Sequence, residues 1–366
     1  MFLLIDRYVR ACVAGCVERR PCGGPASVPV ARPRARDHRG WAGRTIHARG
    51  RDAVFNFTGL ERALPLAADE LPLADDELAP ALYADRFRAA ALGHLGGDPG
   101  RHDAAVFNRL TGATVATHLT LVGPGDVVVG VSPTYSHPTI VRAAALAGAH
   151  FVETQGLAQF QAALAREPRV ALVAVTRLAV SYDLLPFDEL REIVRLAHAR
   201  GALVYVDDAG GARVGPAMFG QPRTLELGAT GLDKYGTIGP RVGLLAGDRA
   251  LVARIRARGI ELGMEARPML YPAIVRSLEQ YRPERVRELV ATMRTVGAAL
   301  GDRVVETPVI AKLLGEDSAL LVKFVPPETL ARFGGAPALA TAIAGAVDQL
   351  GPLVAAPDRL RELLLG

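Results

Sequence analysis

The chain has 366 residues, half of them hydrophobic, and carries 43 lysines and arginines against 38 acids, a net charge of +5. That length supports a large buried core, and no uncharged apolar run of about 18 residues stands out, so a membrane span is not expected. The apolar start MFLLI meets Asp6, Arg7 and Arg10 at once, too soon for a secretory signal, which makes the cytoplasm the expected location.

Residues 1–52 read as a basic, Pro/Gly-rich extension. Arg19, Arg20, Arg32, Arg34, Arg36, Arg39, Arg44, Arg49 and Arg51 crowd it with few acids nearby. Such a segment can grip RNA phosphates, but with little aromatic character for base stacking the solvated arm is the preferred reading. Cys12, Cys16 and Cys22 are spaced C-x3-C-x5-C, which matches neither a zinc knuckle nor a thioredoxin pair, and no metal site is expected.

From about residue 53 apolar runs alternate with helical periodicity, and Asn56-Phe57-Thr58-Gly59-Leu60 opens the ordered part. A helix is predicted from Ala79 to Leu92, then a glycine-rich connection, GHLGGDPGRHD. A helix from Leu110 to Val122 is stopped by Gly123-Pro124-Gly125-Asp126 before the strand VVVGV at 127–131. Helix Thr139 to Ala147, strand 151–153, helix Leu157 to Arg166 and strand Val170 to Val175 follow. Next come helix Phe187 to Ala199, strand 203–206 ending in Asp207-Asp208, and strands Leu225 to Thr230 and Val242 to Ala246. Helices at Ala250 to Arg258 and Ala273 to Leu300 lead to a tail with strands near 304–310 and 319–325 and a helix near 336–350. Continuous apolar strands separated by helices imply a mostly parallel sheet covered on both faces, a three-layer α/β fold. The expected organisation is a large domain over 53–260, then linking helices and a small C-terminal α+β domain over 261–366.

Only three lysines occur, Lys234, Lys312 and Lys323, among about forty arginines. Lys234 lies in TGLDKYGTIGPRVG, just beyond a strand, with glycines on both sides that permit close approach to a flat ligand. An amine condenses with an aldehyde; a guanidinium does not. Lys312 and Lys323 read as surface residues of the small domain. Asp207 ends the strand LVYV, where open α/β sheets bind ligands, and a carboxylate there can keep a pyridine nitrogen protonated. Asp208 is the alternative, although alternation sends only one of the two toward the ring. A helix-capping role remains open for either.

A lysine for imine formation and a strand-end acid together suggest pyridoxal 5'-phosphate. Asn108, Arg109, Thr111 and Gly112 open the helix of residues 110–122, whose free N–H groups and dipole suit a phosphate dianion, although Thr111 also reads as a plain cap. Arg241 is a second phosphate ligand or a surface ion-pair residue. His137, within Tyr135-Ser136-His137, is the choice to stack on the ring, with helix capping as the alternative, and Thr176 is placed to bond the ring oxygen. Arg267 and Arg282 are suggested for a substrate carboxylate.

The segments HDAAVFNRLTGATVA, GDVVVGVSPTYSHPTI, VYVDDAGGAR and GLDKYGTIGPRVGLLAG together resemble the fold-type I pyridoxal phosphate enzymes. Within these the chain is most similar to the selenocysteine synthase (seryl-tRNA seleniumtransferase) group and its shorter archaeal-type relatives, over roughly residues 55–300. The resemblance implies that Lys234 is the Schiff-base lysine, that Asp207 meets the pyridine nitrogen, and that the site forms at a homodimer interface, with higher homo-oligomers possible. The long seleniumtransferases carry a folded N-terminal tRNA-holding domain, where this chain has a short basic arm. A small amino-acid substrate is therefore favoured over aminoacyl-tRNA. On this resemblance the expected reaction is Cα deprotonation and β-elimination or β-replacement through an aminoacrylate. Aminotransfer is the runner-up and seleniumtransfer the different-class alternative. Cysteine desulfuration is disfavoured because all three cysteines lie in the extension, and a nucleotide-binding protein because no G-x-G-x-x-G or P-loop follows a strand.

Overall fold

A computed structural model describes residues 66–344, apart from 180, 181, 224, 225, 302, 303, 307–310, 314–319, 323 and 324, together with 47 and 61. The three cysteines, the arginine-rich stretch, Asn56 to Leu60, Lys323 and the side chain of Lys312 lie outside the described residues. The chain divides into two units, residues 61–287 and residues 288–366 with 1–60.

In the larger unit a short 3-10 turn, Ala68–Leu73, precedes helix α1 (Leu78–Leu95) and strand β1 (His102–Phe107). There follow α2 (Leu110–Leu121), β2 (Val127–Ser132), α3 (Pro138–Leu146), β3 (His150–Gln155), α4 (Gly156–Arg166), β4 (Leu172–Thr176) and α5 (Phe187–Ala199). The unit continues with β5 (Leu203–Asp207), α6 (Gly211–Phe219), β6 (Leu227–Gly231), β7 (Gly243–Asp248), α7 (Arg249–Glu261) and α8 (Tyr271–Glu279). Helix α9 (Pro283–Leu300) runs across the division between the units.

The seven strands form one sheet in the order β1-β7-β6-β5-β4-β2-β3. The pairs β2–β3, β2–β4, β4–β5 and β5–β6 are parallel, while β7 runs antiparallel to both β1 and β6. The central strands are apolar throughout because helices cover both faces: Leu172, Val173, Ala174 and Val175 of β4 are all fully buried. On one face Phe107, Ala113, Ala116, Ile140, Tyr205 and Ile255 join α2, α3 and α7 to the sheet. On the other, α4 and α5 pack through Phe160, Leu164, Leu190 and Ile193, and α1 and α8 through Phe87, Leu92, Ile274 and Leu278. Each leucine, isoleucine or phenylalanine among them contributes about 1.5–3 kcal/mol when fully buried.

Two sequence expectations need correction, and one helix was not anticipated. The glycine-rich connection after α1 ends inside a strand, β1, whose His102 and Asp103 pair with Asp248 and Gly247. The helical stretch from Ala273 to Leu300 is two helices, broken before Pro283, which has no N–H to continue the ladder. Residues 211–219 form α6, with Gly211, Gly215 and Pro216 inside it.

The second unit has helical residues 288–300, an antiparallel sheet of β8 (Val304–Glu306), β9 (Ala311–Leu313) and β10 (Leu320–Val322) in the order β10-β9-β8, and α10 (Pro327–Phe333), with further helix over 336–344. Leu289, Val290, Met293, Val325 and Leu339 are buried there. This is the expected small α+β arrangement.

Candidate active site

Parallel β4, β5 and β6 end side by side, with Thr176 in register with Asp207 and Asp207 with Ala229. Their C-terminal ends therefore gather Thr176, Asp207 and, just beyond β6, Lys234, at the position where open α/β sheets bind ligands.

Asp207 is 3% exposed. Its Oδ1 accepts the N–H of Ala209 at 3.2 Å, and its Oδ2 lies 3.9 Å from His137 Nδ1. Asp208 points elsewhere: its carboxylate meets Arg177 Nη1 at 3.0 Å, with the Arg177 side chain 3% exposed. Burial pushes the Asp208 carboxyl up despite the neighbouring guanidinium. Arg177 lies against α6, where glycine occurs at 211 and 215, four residues apart on one helix face. A Cβ at Gly215 would come within 2.7 Å of Arg177 Nη2, which donates to Gln221 Oε1 at 2.6 Å.

Lys234 is half-buried, with its stem along Gly231, where a Cβ would stand 3.3 Å from Lys234 Cε. The chain turns sharply after it: Tyr235 has φ 46° and Gly236 φ 92°. Left-handed backbone at a tyrosine is strain of the kind that clusters at functional sites. Tyr182, also at positive φ (70°), places its hydroxyl 3.1 Å from that of Tyr235. The Tyr235 ring fills the space where Gly210 would carry a Cβ, 2.3 Å from the ring.

Asn108 and Arg109 link β1 to α2. Arg109 gives no side-chain cap to this twelve-residue helix, whose first amides have no partner within the helix. A Cβ on Gly112 would approach Asn108 Oδ1 to 2.9 Å, so glycine keeps that end clear. The start of β7 abuts the same end, since a Cβ at Gly243 would meet Leu110 N at 2.6 Å. Arg241, two residues upstream, thus belongs to the same region; its half-exposed side chain lies 3.7 Å from Asp233.

His137 caps α3, its Nδ1 accepting the Thr139 N–H at 3.2 Å, and its backbone N–H donates to Thr176 Oγ1 at 2.9 Å. The side chain is 41% exposed. A neutral ring serves the cap, while a protonated Nδ1 would turn its charge on Asp207. The preceding turn is anchored by Glu153, which accepts from Ser136 N and Oγ and whose carboxyl is raised by burial. Beneath Asp207, Tyr205 and Thr114 share a buried hydrogen bond of 2.8 Å, and burial raises the Tyr205 phenol well above its usual range.

The nine residues expected to hold the cofactor, Lys234, Asp207, Asn108, Arg109, Thr111, Gly112, His137, Thr176 and Arg241, therefore fall at one end of the sheet in a single unit. Arg267 instead pairs with Asp76 at the surface. Sequence reasoning missed Arg177, Arg213 and the Tyr182–Tyr235 pair. The available signal was a charge in an apolar run: Arg177 directly follows VALVAVT, and Arg213 is the lone charge in AGGARVGPAMFG. Among the described residues no group of His, Cys, Asp and Glu is arranged to hold a metal.

No protein-family model matches the chain. Three curated relatives do, each described as a UPF0425 pyridoxal phosphate-dependent protein. That of Methanothermobacter thermautotrophicus is 33% identical over 253 residues, 68% of this chain and 64% of the relative. The Methanosphaera stadtmanae protein is 30% identical, over 66% of this chain and 62% of its own length. The Methanococcus maripaludis protein is 30% identical over 241 residues, 64% of this chain and 67% of the relative. The chain thus spans under two thirds of the length of the first two. Among solved structures, the serine palmitoyltransferase of S. paucimobilis is similar, with a TM-score of 0.55 at 18% identity, over 75% of this chain and 84% of that one. The Sphingomonas wittichii serine palmitoyltransferase gives 0.51 at 17% identity, over 77% and 69%. At such identities the likeness shows the fold, and it bears out the expected fold-type I architecture. The curated relatives settle the family: the chain belongs to the UPF0425 pyridoxal phosphate-dependent proteins.

Proposed function

We propose that the protein is a pyridoxal phosphate-dependent lyase or transferase acting on a small amino-acid-type substrate, with β-elimination or β-replacement as its reaction. The observation that supports the cofactor chemistry is the gathering of Lys234, Asp207 and the uncapped start of α2 at one end of the sheet, while the choice of β-elimination or β-replacement rests on the resemblance to the seleniumtransferase group. When bound, the cofactor supplies an electron sink for negative charge at the substrate Cα. The Lys234 amine would hold the cofactor at its aldehyde carbon and, as a free amine, would take the substrate's Cα proton. Asp207 holds a proton at the pyridine nitrogen. The Asn108–Gly112 turn and Arg241 bind the phosphate, His137 covers the ring, and Thr176 retains its O–H to donate to the ring oxygen. Asp207 and both members of the Tyr182–Tyr235 pair are buried beside Lys234, which is half-buried.

The same reading carries a homodimeric state and a cytoplasmic location. Among the described residues, no helix is long and apolar enough to cross a membrane. Incubation of the cofactor-loaded protein with O-activated serines tests the reaction: release of keto acid and ammonia, or of a β-substituted amino acid, supports it. Accumulation of pyridoxamine phosphate together with the keto acid that still carries the β-substituent would assign aminotransfer instead.

A further inference from the structure

Arg213, the third residue of α6, is fully buried and is the largest such side chain in the described structure. Among the described residues it has no carboxylate at ion-pair distance. Its Nη1 meets His94 Nε2 at 3.0 Å, and burial and the Arg213 charge hold that imidazole well below its usual range, so it accepts as a neutral ring. Nη2 faces the carbonyl of Ala209 at 3.2 Å, Thr230 Oγ1 at 2.9 Å and the carbonyl of Gly231. A buried guanidinium is costly unless its donors are used; Nε has no hydrogen-bond partner among the described residues, and it is Nη2 that reaches two turns.

The two turns are those of the site. Ala209 is the residue whose N–H holds Asp207 Oδ1, and Gly231 is the residue along which the Lys234 stem lies. One nitrogen therefore ties Ala209, whose N–H holds the Asp207 carboxylate, to Gly231, beside which the Lys234 stem lies. The fork is rigid and planar, which a lysine cannot copy. We infer that Arg213 is a positioning residue that fixes the Asp207 carboxylate and the Lys234 amine relative to each other, so that both engage one bound cofactor. This rests on the cofactor reading above. It assigns to α6 a task that explains why the helix begins with glycines immediately after the strand-end aspartates: the start of α6 must come close enough for its third residue to reach back under both strand ends.

The test compares wild type, R213K and R213M in the full chain, with far-UV circular dichroism and thermal unfolding of the apoprotein as controls for folding. Cofactor dissociation constants and the pH titration of the bound cofactor's visible band are read alongside turnover. Loss of hydrogen bonds from a charged donor predicts cofactor binding weaker by about tenfold or more in folded R213M, with a displaced titration midpoint, and a partial return in R213K. If R213M does not fold, R213K carries the test, because it keeps the charge and lacks the fork. A folded R213K with wild-type affinity and an unmoved titration midpoint would overturn the inference. A wild-type protein that forms no visible band would instead overturn the cofactor reading on which it rests.

Discussion

Removing Arg177 while leaving Asp208 in place strands a carboxylate in a site 12% exposed, with its ion-pair partner at 3.0 Å gone. Breaking a buried pair in this way costs about 3–5 kcal/mol, here an upper bound because the carboxyl can escape by taking a proton. For a unit of this size the corresponding fall in Tm is roughly 6–20 °C. Asp208 already stands above the usual carboxylate range because burial outweighs the Arg177 charge and hydrogen bond. A folded-state pKa above the unfolded one means that the group's contribution is fully present below the unfolded value and is lost as pH rises through the folded value. R177M removes the two largest influences that lower it and leaves the smaller one of the Arg213 charge, so the destabilisation should be larger at about pH 8 than at about pH 5. R177M/D208L, which takes out both charges, should recover much of the loss, since apolar replacement of a buried pair is often neutral. Thermal unfolding of the apoproteins followed by circular dichroism checks this. An R177M protein within about 1 kcal/mol of wild type at neutral pH, or a double variant no more stable than the single one, would refute the reasoning.

The two adjacent aspartates should separate by function. D207N should cut cofactor affinity by about tenfold or more with little change in apoprotein stability, whereas D208N should retain the cofactor; equilibrium binding followed by absorbance distinguishes them. The G112A substitution should leave the apoprotein as stable as wild type, or up to about 1 kcal/mol more stable, because alanine favours helix. Its Cβ would displace the Asn108 carboxamide at the α2 start, so affinity for the cofactor, and for inorganic phosphate competing with it, should fall several-fold. T114V should cost about 1 kcal/mol by leaving the buried Tyr205 hydroxyl without its partner, measured by urea unfolding.

Much of the fold is written locally. Helix α5 was predicted over the residues it occupies because Pro186 and two acids start it and its apolar positions keep one face. β1 was obscured by its glycine-rich approach and its edge pairing with β7, which no local pattern announces. The sequence pattern assigns no element to residues 211–219, and they form α6, whose Gly211, Gly215 and Pro216 are poor helix formers; close contacts with Arg177 make the glycines useful. Lys234 and Asp207 were visible because each stands at a strand end. Arg213 and Arg177 were not, since the partners that give them meaning, His94, Gly231, Asp208 and Gln221, are distant in sequence or on other elements.

The visible absorption spectrum of the purified protein with pyridoxal phosphate, for wild type and K234A side by side, addresses the central claim most directly. The account predicts a band near ~420 nm in wild type that K234A does not form, because the band requires condensation of the Lys234 amine with the cofactor's aldehyde. A wild-type protein that stays colourless, or a K234A protein with the same band, would contradict it.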